Sequence, residues 1–332
     1  VQINPSEKAR RLYESAFVWD AHSGFMPDRR VDLENLRLWR DAGVGFLSIN
    51  VGFDLMPWHA TVGTLAAFRH WLQLRADDYL IATSIDDIDA ARKTGRMAVA
   101  FDIEGMVALD GRIEMVDFYR GLGVHQMLFA YNRNNAAGGG CHDEDGGLTD
   151  FGRAVIREMN RVGMTIDVSH TGYRTSIEAM ERSGKPVIFS HSNSRALKAH
   201  GRNITDDQIK ACAATGGVVG AVGINLFMGS DGPDVGRYAD HIDHLIDTAG
   251  PDHVGIGLDF AFPVAFEDMD KMVSDNPGFW PAEDYPDFHA QFVSPSQLIE
   301  LTDELLRRRH GEEVIRGVLG GNFSRVARQN WA

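Results

Sequence analysis

Short apolar runs rich in β-branched and aromatic residues alternate along this chain with stretches whose apolar positions recur every three or four residues. The first kind reads as strands and the second as amphipathic helices. Eight runs qualify as strands: 17–22, 44–51, 97–104, 125–131, 164–170, 185–191, 217–225 and 253–260. Helical spacing covers 64–78, 150–162, 173–183, 235–248 and 296–309. Thr205 followed by Gln208 has the form of a capping box, which predicts a helix over 206–214 ended by Gly216. Near-continuous apolar strands separated by helices imply parallel strands buried on both faces. Eight such units in 332 residues predict an α/β fold of the (β/α)8 TIM-like barrel type, one domain over 1–332 with insertions after strands 4 and 8. A doubly wound open sheet is the alternative. No G-x-G-x-x-G follows the first strand, so a dinucleotide fold lacks support.

The two insertions differ in character. Residues 132–149 form a Gly-rich acidic loop, and 262–295 carry seven acids, one lysine and seven aromatics. Loops of this length usually line a site or are disordered, and the aromatics argue against disorder in the second. We read it as a lid or a subunit contact, the latter implying a homodimer.

Lys and Arg total 33 against 47 Asp and Glu, a formal charge of −14, which makes nucleic acid and anionic membrane surfaces poor partners. Cys141 and Cys212 lie far apart and form no C-x-x-C motif, so a reducing, cytoplasmic setting is expected. Residues 1–17 lack the apolar core of a signal peptide. The most apolar stretch, 216–229, is too short for a membrane span.

The strand ends carry the candidate chemistry. His22, Glu104, Tyr131, His170, His191, Asn225 and Asp259 each close an apolar run. In a barrel these ends converge on one face, where active sites sit. Buried His, Glu and Asp need partners, and a metal is one strong way to supply them. Imidazoles and carboxylates are ligands expected for zinc or a similar ion. His142, flanked by Cys141 and Asp143, is a candidate for a second cluster. His125 and His253 begin strands and should lie at the opposite, stability face. His59, His70, His200, His241, His244, His289 and His310 read as helix or loop residues. Gly255 and Gly257 read as close strand packing rather than a phosphate loop.

Seven segments together resemble the membrane dipeptidase (renal dipeptidase) family, metallopeptidases related to the amidohydrolase barrels. They are WDAH at 19–22, IEG at 103–105, GLTDFGRAVIREMNRVGMTIDVSH at 147–170, PVIFSHSNSRAL at 186–197, RNITDDQI at 202–209, GIGLDF at 255–260 and GGNFSRV at 320–326. The resemblance implies two zinc ions at the barrel mouth. His22 would bind the first, Glu104 would bridge, and His170 and His191 would bind the second. Asp259 matches the acid that handles the proton of the attacking water, and Arg202 the arginine that grips a substrate carboxylate.

Two positions depart from the family pattern. Its His-x-Asp reads His22-Ser23-Gly24 here, so one carboxylate ligand of the first metal is missing. Its Thr-His-Asn reads Ala130-Tyr131-Asn132, so a phenol stands where an imidazole meets the substrate carbonyl. One zinc on Glu104, His170 and His191 is therefore expected to bind firmly. A weaker one would rest on His22 and Glu104, with Asp259 as a substitute ligand. Asp20 and Asn225 are candidates for supporting roles. The expected activity is metal-dependent cleavage of a dipeptide or small amide carrying a free carboxylate, with Tyr131 as an oxyanion donor and substrate contact. The alternatives are a hydrolase of a lactone or N-acyl amine, or a ligand-binding barrel without turnover.

Overall fold

The computed structural model describes residues 5–23, 27–261, 266–286 and 289–331. Nine strands form one sheet: β1 (Val18–Ser23), β2 (Val44–Phe53), β3 (Tyr79–Ile81), β4 (Met97–Glu104), β5 (Val124–Leu128), β6 (Thr165–Asp167), β7 (Val187–Ile188), β8 (Val219–Ala221) and β9 (Val254–Ile256). Every pairing is parallel. The order is β7-β6-β5-β4-β2-β1-β9-β8, and a parallel bridge from Phe189 to Val219 joins the two ends. The result is a nearly closed eight-stranded barrel with helices outside, the (β/α)8 architecture the pattern predicts.

All eight predicted runs contain a strand, though β7 and β8 use only two and three residues of theirs. β3 was not expected. It pairs with Met97–Val99 at the start of β4, while β5 takes Phe101–Ile103 further along the same edge. Three residues are too few for alternation or a run of apolar positions to register in sequence. The helix expected at 64–78 spans Trp58–Gln73 instead, with Pro57 at its N-cap. Proline tolerates that boundary because its missing N–H costs nothing there.

The core has three parts. Small and aromatic residues including Trp19, Ala21, Phe46, Ala98, Ala100, Ile188 and Phe323 fill the N-terminal end of the barrel. A larger aliphatic layer lies between strands and helices. A third cluster, with Phe53, Phe227, Trp280, Tyr285 and Phe292, covers the mouth. Gly255 and Gly257 behave as packing residues. A Cβ on Gly255 would meet the Phe323 ring at 2.4 Å, and one on Gly257 the Ser190 carbonyl oxygen at 1.8 Å. His125 and His253 lie at the stability end, bonded to the carbonyls of Ala82 and Gly217. Among the described residues no helix is long and apolar enough to cross a membrane.

Candidate metal centre

His22 reaches the barrel interior through a local irregularity. Asp20, on the same strand, turns outward, accepting from Trp39 Nε1 at 2.7 Å and from the Leu258 amide at 2.9 Å. Strict alternation would send His22 to that side as well. The register of β1 against β2 shifts between Asp20 and Ser23, and His22 turns inward. Gly24 lies outside the described residues. Glu104 comes from the last position of β4, whereas His170, His191 and Asp259 lie three residues beyond the ends of β6, β7 and β9.

These five side chains form one cluster. Glu104 Oε1 is 3.5 Å from His22 Nε2, 3.5 Å from His170 Nε2 and 3.4 Å from His191 Nε2. Asp259 Oδ1 is 3.5 Å from His22 Nε2. The His22 and His191 rings stack at 4.0 Å, and His170 Nε2 lies 3.0 Å from His191 Nε2. The most compact set is His22, Glu104 and His191, whose donor atoms all lie within 4.8 Å of one another. His170 joins it through Glu104 and His191.

The outer ring nitrogens fix which inner ones carry lone pairs. His170 Nδ1 is 2.6 Å from Asn132 Oδ1, and that oxygen also accepts from Cys141 Sγ. The amide group of Asn132 is spent on the Phe279 carbonyl, so its oxygen must face the ring. His191 Nδ1 is 2.7 Å from Ser190 Oγ, whose hydroxyl also bonds the Asp167 carboxylate. His22 Nδ1 faces Asp102 Oδ1 at 3.2 Å. With each Nδ1 protonated, three Nε2 lone pairs converge on Glu104 and Asp259. Acceptors alone repel one another, and a divalent cation is the partner that satisfies all of them. The residues present therefore fit a metal ion.

Without an ion, protons take its place between these groups. Burial holds His170 and His191 well below the usual imidazole range. Burial pushes Glu104 up to about 8, with Asp259 and Asp102 adding to the rise and His22 opposing it. Asp259 is raised for the same first reason. Burial also disfavours charge on His22, but the carboxylates of Asp102, Glu104 and Asp259 outweigh it and carry that ring to about 10. Asn132, His170 and Asp259 have φ of 61°, 58° and 52°, three of the five left-handed non-glycine residues described. Backbone strain of this kind persists where surrounding contacts over-determine it.

Tyr131 stacks on His170 with centroids 4.3 Å apart and is packed edge-on by Phe53 and Trp280. Burial drives its phenol far above the usual range, so it keeps its proton and can donate. Arg202 is buried, with Nη1 donating to Ser192 Oγ at 3.1 Å and Nη2 to the His191 carbonyl at 2.6 Å. Among the described residues its Nε has no hydrogen-bond partner, and each terminal nitrogen retains one further N–H. Asn225 instead pins the second insertion, accepting from the Gln291 amide at 2.8 Å, and Asp20 is likewise a packing residue.

The candidate cluster around His142 does not form. Asp143 turns to Arg133 Nε at 2.8 Å, Cys141 to Asn132, and His142 to Asp284 Oδ2 at 3.3 Å and Tyr285 Oη at 3.2 Å. His142 thereby ties the first insertion to the second, over the mouth. Sequence reasoning also missed Asp102, Asn132, Ser190 and Asp54. Asp102 was within reach, since it lies two residues before Glu104 and so shares its face of the strand. Asp54 accepts from the amides of Val107 and Tyr131 and from Asn135 Nδ2, binding together loops on either side of Glu104.

Known proteins place the chain in a family. A model described as membrane dipeptidase (peptidase family M19) matches residues 26–274, a stretch that includes Glu104, His170, His191 and Asp259 and begins just after His22. An uncharacterised dipeptidase of Schizosaccharomyces pombe is 33% identical over 253 residues, covering 73% of this chain and 55% of that protein. The chain thus spans about half the length of this curated relative. Among solved structures, an amidohydrolase from Pseudomonas aeruginosa superposes with a TM-score of 0.90 at 29% identity, over 97% of this chain and 99% of the other. A metallo peptidase from Rhodobacter sphaeroides, liganded with a phosphinate mimic of the dipeptide L-Ala-D-Ala, shares the fold with a TM-score of 0.77 at 18% identity, over 95% and 99%. With three quarters of its length matched by the family model and a barrel that superposes almost end to end, the chain belongs to the membrane dipeptidase family.

Proposed function

We propose that this protein is a metal-dependent hydrolase that cleaves dipeptides, or small amides carrying a free carboxylate. The observation that carries the reading is the convergence of three imidazole Nε2 atoms and two carboxylates at one buried point. Glu104, His170 and His191 would hold one zinc ion, and His22 and Glu104 a second, with Asp259 as a further ligand. Bound zinc supplies a Lewis acid for the scissile carbonyl and lowers the pKa of water toward neutrality.

The side chains would divide the remaining work. Asp259 accepts the proton of the water that adds to the carbonyl and passes it to the departing nitrogen. One water is consumed, the C–N bond breaks, and an acid and an amine result. The Tyr131 phenol, held protonated by burial, donates to the oxygen on which charge develops. Arg202 offers the substrate carboxylate its Nε and the N–H groups its own contacts leave over. The second insertion, packed against Phe53 and Tyr131, excludes water from the mouth.

The test is a hydrolysis panel on zinc-loaded protein, with dipeptides including L-Ala-D-Ala, their C-terminal amides, N-acyl amines and lactones. Turnover of free dipeptides above their amides is the expected outcome. Lactone turnover with no dipeptide cleaved would replace this reading with a non-peptide one. No turnover of any substrate at full zinc occupancy would mean a binding protein.

A further inference from the structure

Asp102 lies behind His22, on the side of the ring away from Glu104. Both side chains are wholly buried, and Asp102 Oδ1 faces His22 Nδ1 at 3.2 Å. Among the described residues neither atom has another hydrogen-bond partner, and at this distance they fall short of a well-aligned bond. The other carboxylate oxygen is committed. Ser48 Oγ donates to Asp102 Oδ2 at 2.5 Å, which points Oδ1 at the ring. Three neighbouring strands make the arrangement: β1 supplies His22, β2 supplies Ser48 and β4 supplies Asp102. Ser48 pairs with Ala100 in register, so Ser48 and Asp102 share the inner face one step apart along the strands.

We infer that Asp102 is the positioning residue for His22: it holds the Nδ1–H tautomer and so directs the Nε2 lone pair toward Glu104 and Asp259. The inference rests on the metal-binding reading above. A carboxylate cannot donate, so the ring nitrogen opposite it must. A ring fixed in this way is oriented before the metal arrives, and the negative charge behind it makes Nε2 a stronger donor. The other two imidazoles have neutral partners, the amide oxygen of Asn132 and the hydroxyl of Ser190. His22 alone has a charged one at Nδ1. In the proposed ligand sets it is also a lone imidazole at its metal position, where His170 and His191 share theirs, and so the one with most to gain from it.

Two measurements test this. The first is zinc titration against a chromophoric chelator for the unmutated protein, Asp102→Ala and Asp102→Asn, with melting of the metal-free proteins alongside. Asp102→Ala should weaken the zinc that contacts His22 by about 10–100-fold, and the zinc on His170 should keep its constant. Asp102→Asn keeps an oxygen without the charge and should fall between. A residue that serves folding alone would lower the melting temperature and leave both zinc constants unchanged, and that result would overturn the inference. The second measurement needs no variant, so it decides even if Asp102→Ala does not fold. Ring ¹⁵N spectra of the zinc-loaded, unmutated protein should show His22 protonated at Nδ1 and coordinated through Nε2. Zinc bound through Nδ1, or bound with His22 left free, would sink the role of Asp102 and leave the metal reading standing. A protein that binds no zinc would sink both.

Discussion

Asp259 and His170 hold left-handed backbone angles that only a crowded mouth can enforce, and each is set apart from its neighbours by what its side chain meets. His170 has Asn132 behind it and Glu104 in front. Asp259 has His22 at 3.5 Å and, among the described residues, no hydrogen bond to its carboxylate to fix its proton. That contrast separates holding a metal from moving a proton. His170→Ala should remove most of the bound zinc, because it deletes one of three ligands and leaves an open site. Asp259→Asn should keep the zinc on His170 and His191, yet lower kcat by about 10²–10⁴-fold, since an amide cannot take a proton. Metal content and initial rates on the same samples check both. A fully active Asp259→Asn protein would exclude Asp259 as the base.

Whole elements carry these residues, and their boundaries were unevenly legible. The capping box at Thr205 is as the sequence implies: Gln208 N donates to Thr205 Oγ1 at 3.4 Å, and Gln208 Oε1 accepts from Thr205 N at 3.0 Å. It starts the helix Asp206–Ala214 four residues after Arg202 and so anchors the loop that carries the guanidinium. Thr205→Ala should cost about 1 kcal/mol in urea unfolding, the usual price of a lost N-cap. No change would show that the loop is held from elsewhere, for instance by Asp284 Oδ2 on the Gly201 amide. Strand ends were legible because a charged group closing an apolar run has no hydrophobic explanation, and this placed His22, Glu104, His170, His191 and Asp259 on one face. β3 was not legible, because its three residues gain their strand character only from the edge of β4. Nor were the contacts of the insertions. Asn132, His142 and Asp54 act through loops whose fold follows from no periodicity, and only coordinates show that His142 meets Asp284 from the other insertion.

At the scale of the whole molecule, acid should unfold this protein through its buried neutral histidines. The formal charge of −14 shrinks as carboxylates protonate, so self-repulsion eases on mild acidification and cannot be the cause. Burial holds His125 well below the usual range and brings His142 and His241 down to about 4. These groups bind protons less readily in the folded chain than in the unfolded one. Their contribution is therefore complete above the unfolded value near 6.5 and is lost as pH falls toward 4, by up to about 1.4 kcal/mol per pH unit for each group. Buried carboxylates slope the other way. Burial raises Asp54 to about 6, so its contribution is complete below the unfolded value and is lost as pH rises through 6. Opposed slopes can flatten the total, so a single group must be isolated to see either. His241 is the best placed, since it bonds to none of the proposed metal residues and uses both ring nitrogens. Nε2 bonds the Met228 carbonyl at 3.1 Å, and Nδ1 accepts from the Ser194 amide at 3.3 Å. A second ring proton would point at that amide N–H. Glutamine can offer the same donor and acceptor without titrating. His241→Gln should therefore lose little at pH 7.5 and should be less sensitive to acid, narrowing the drop in unfolding free energy between pH 6.5 and 5 by about 2 kcal/mol. Urea unfolding of both proteins in chelator, at a series of pH values, measures the difference without metal release contributing. Parallel profiles would show that His241 protonates as easily folded as unfolded, and would move the acid limb to other groups.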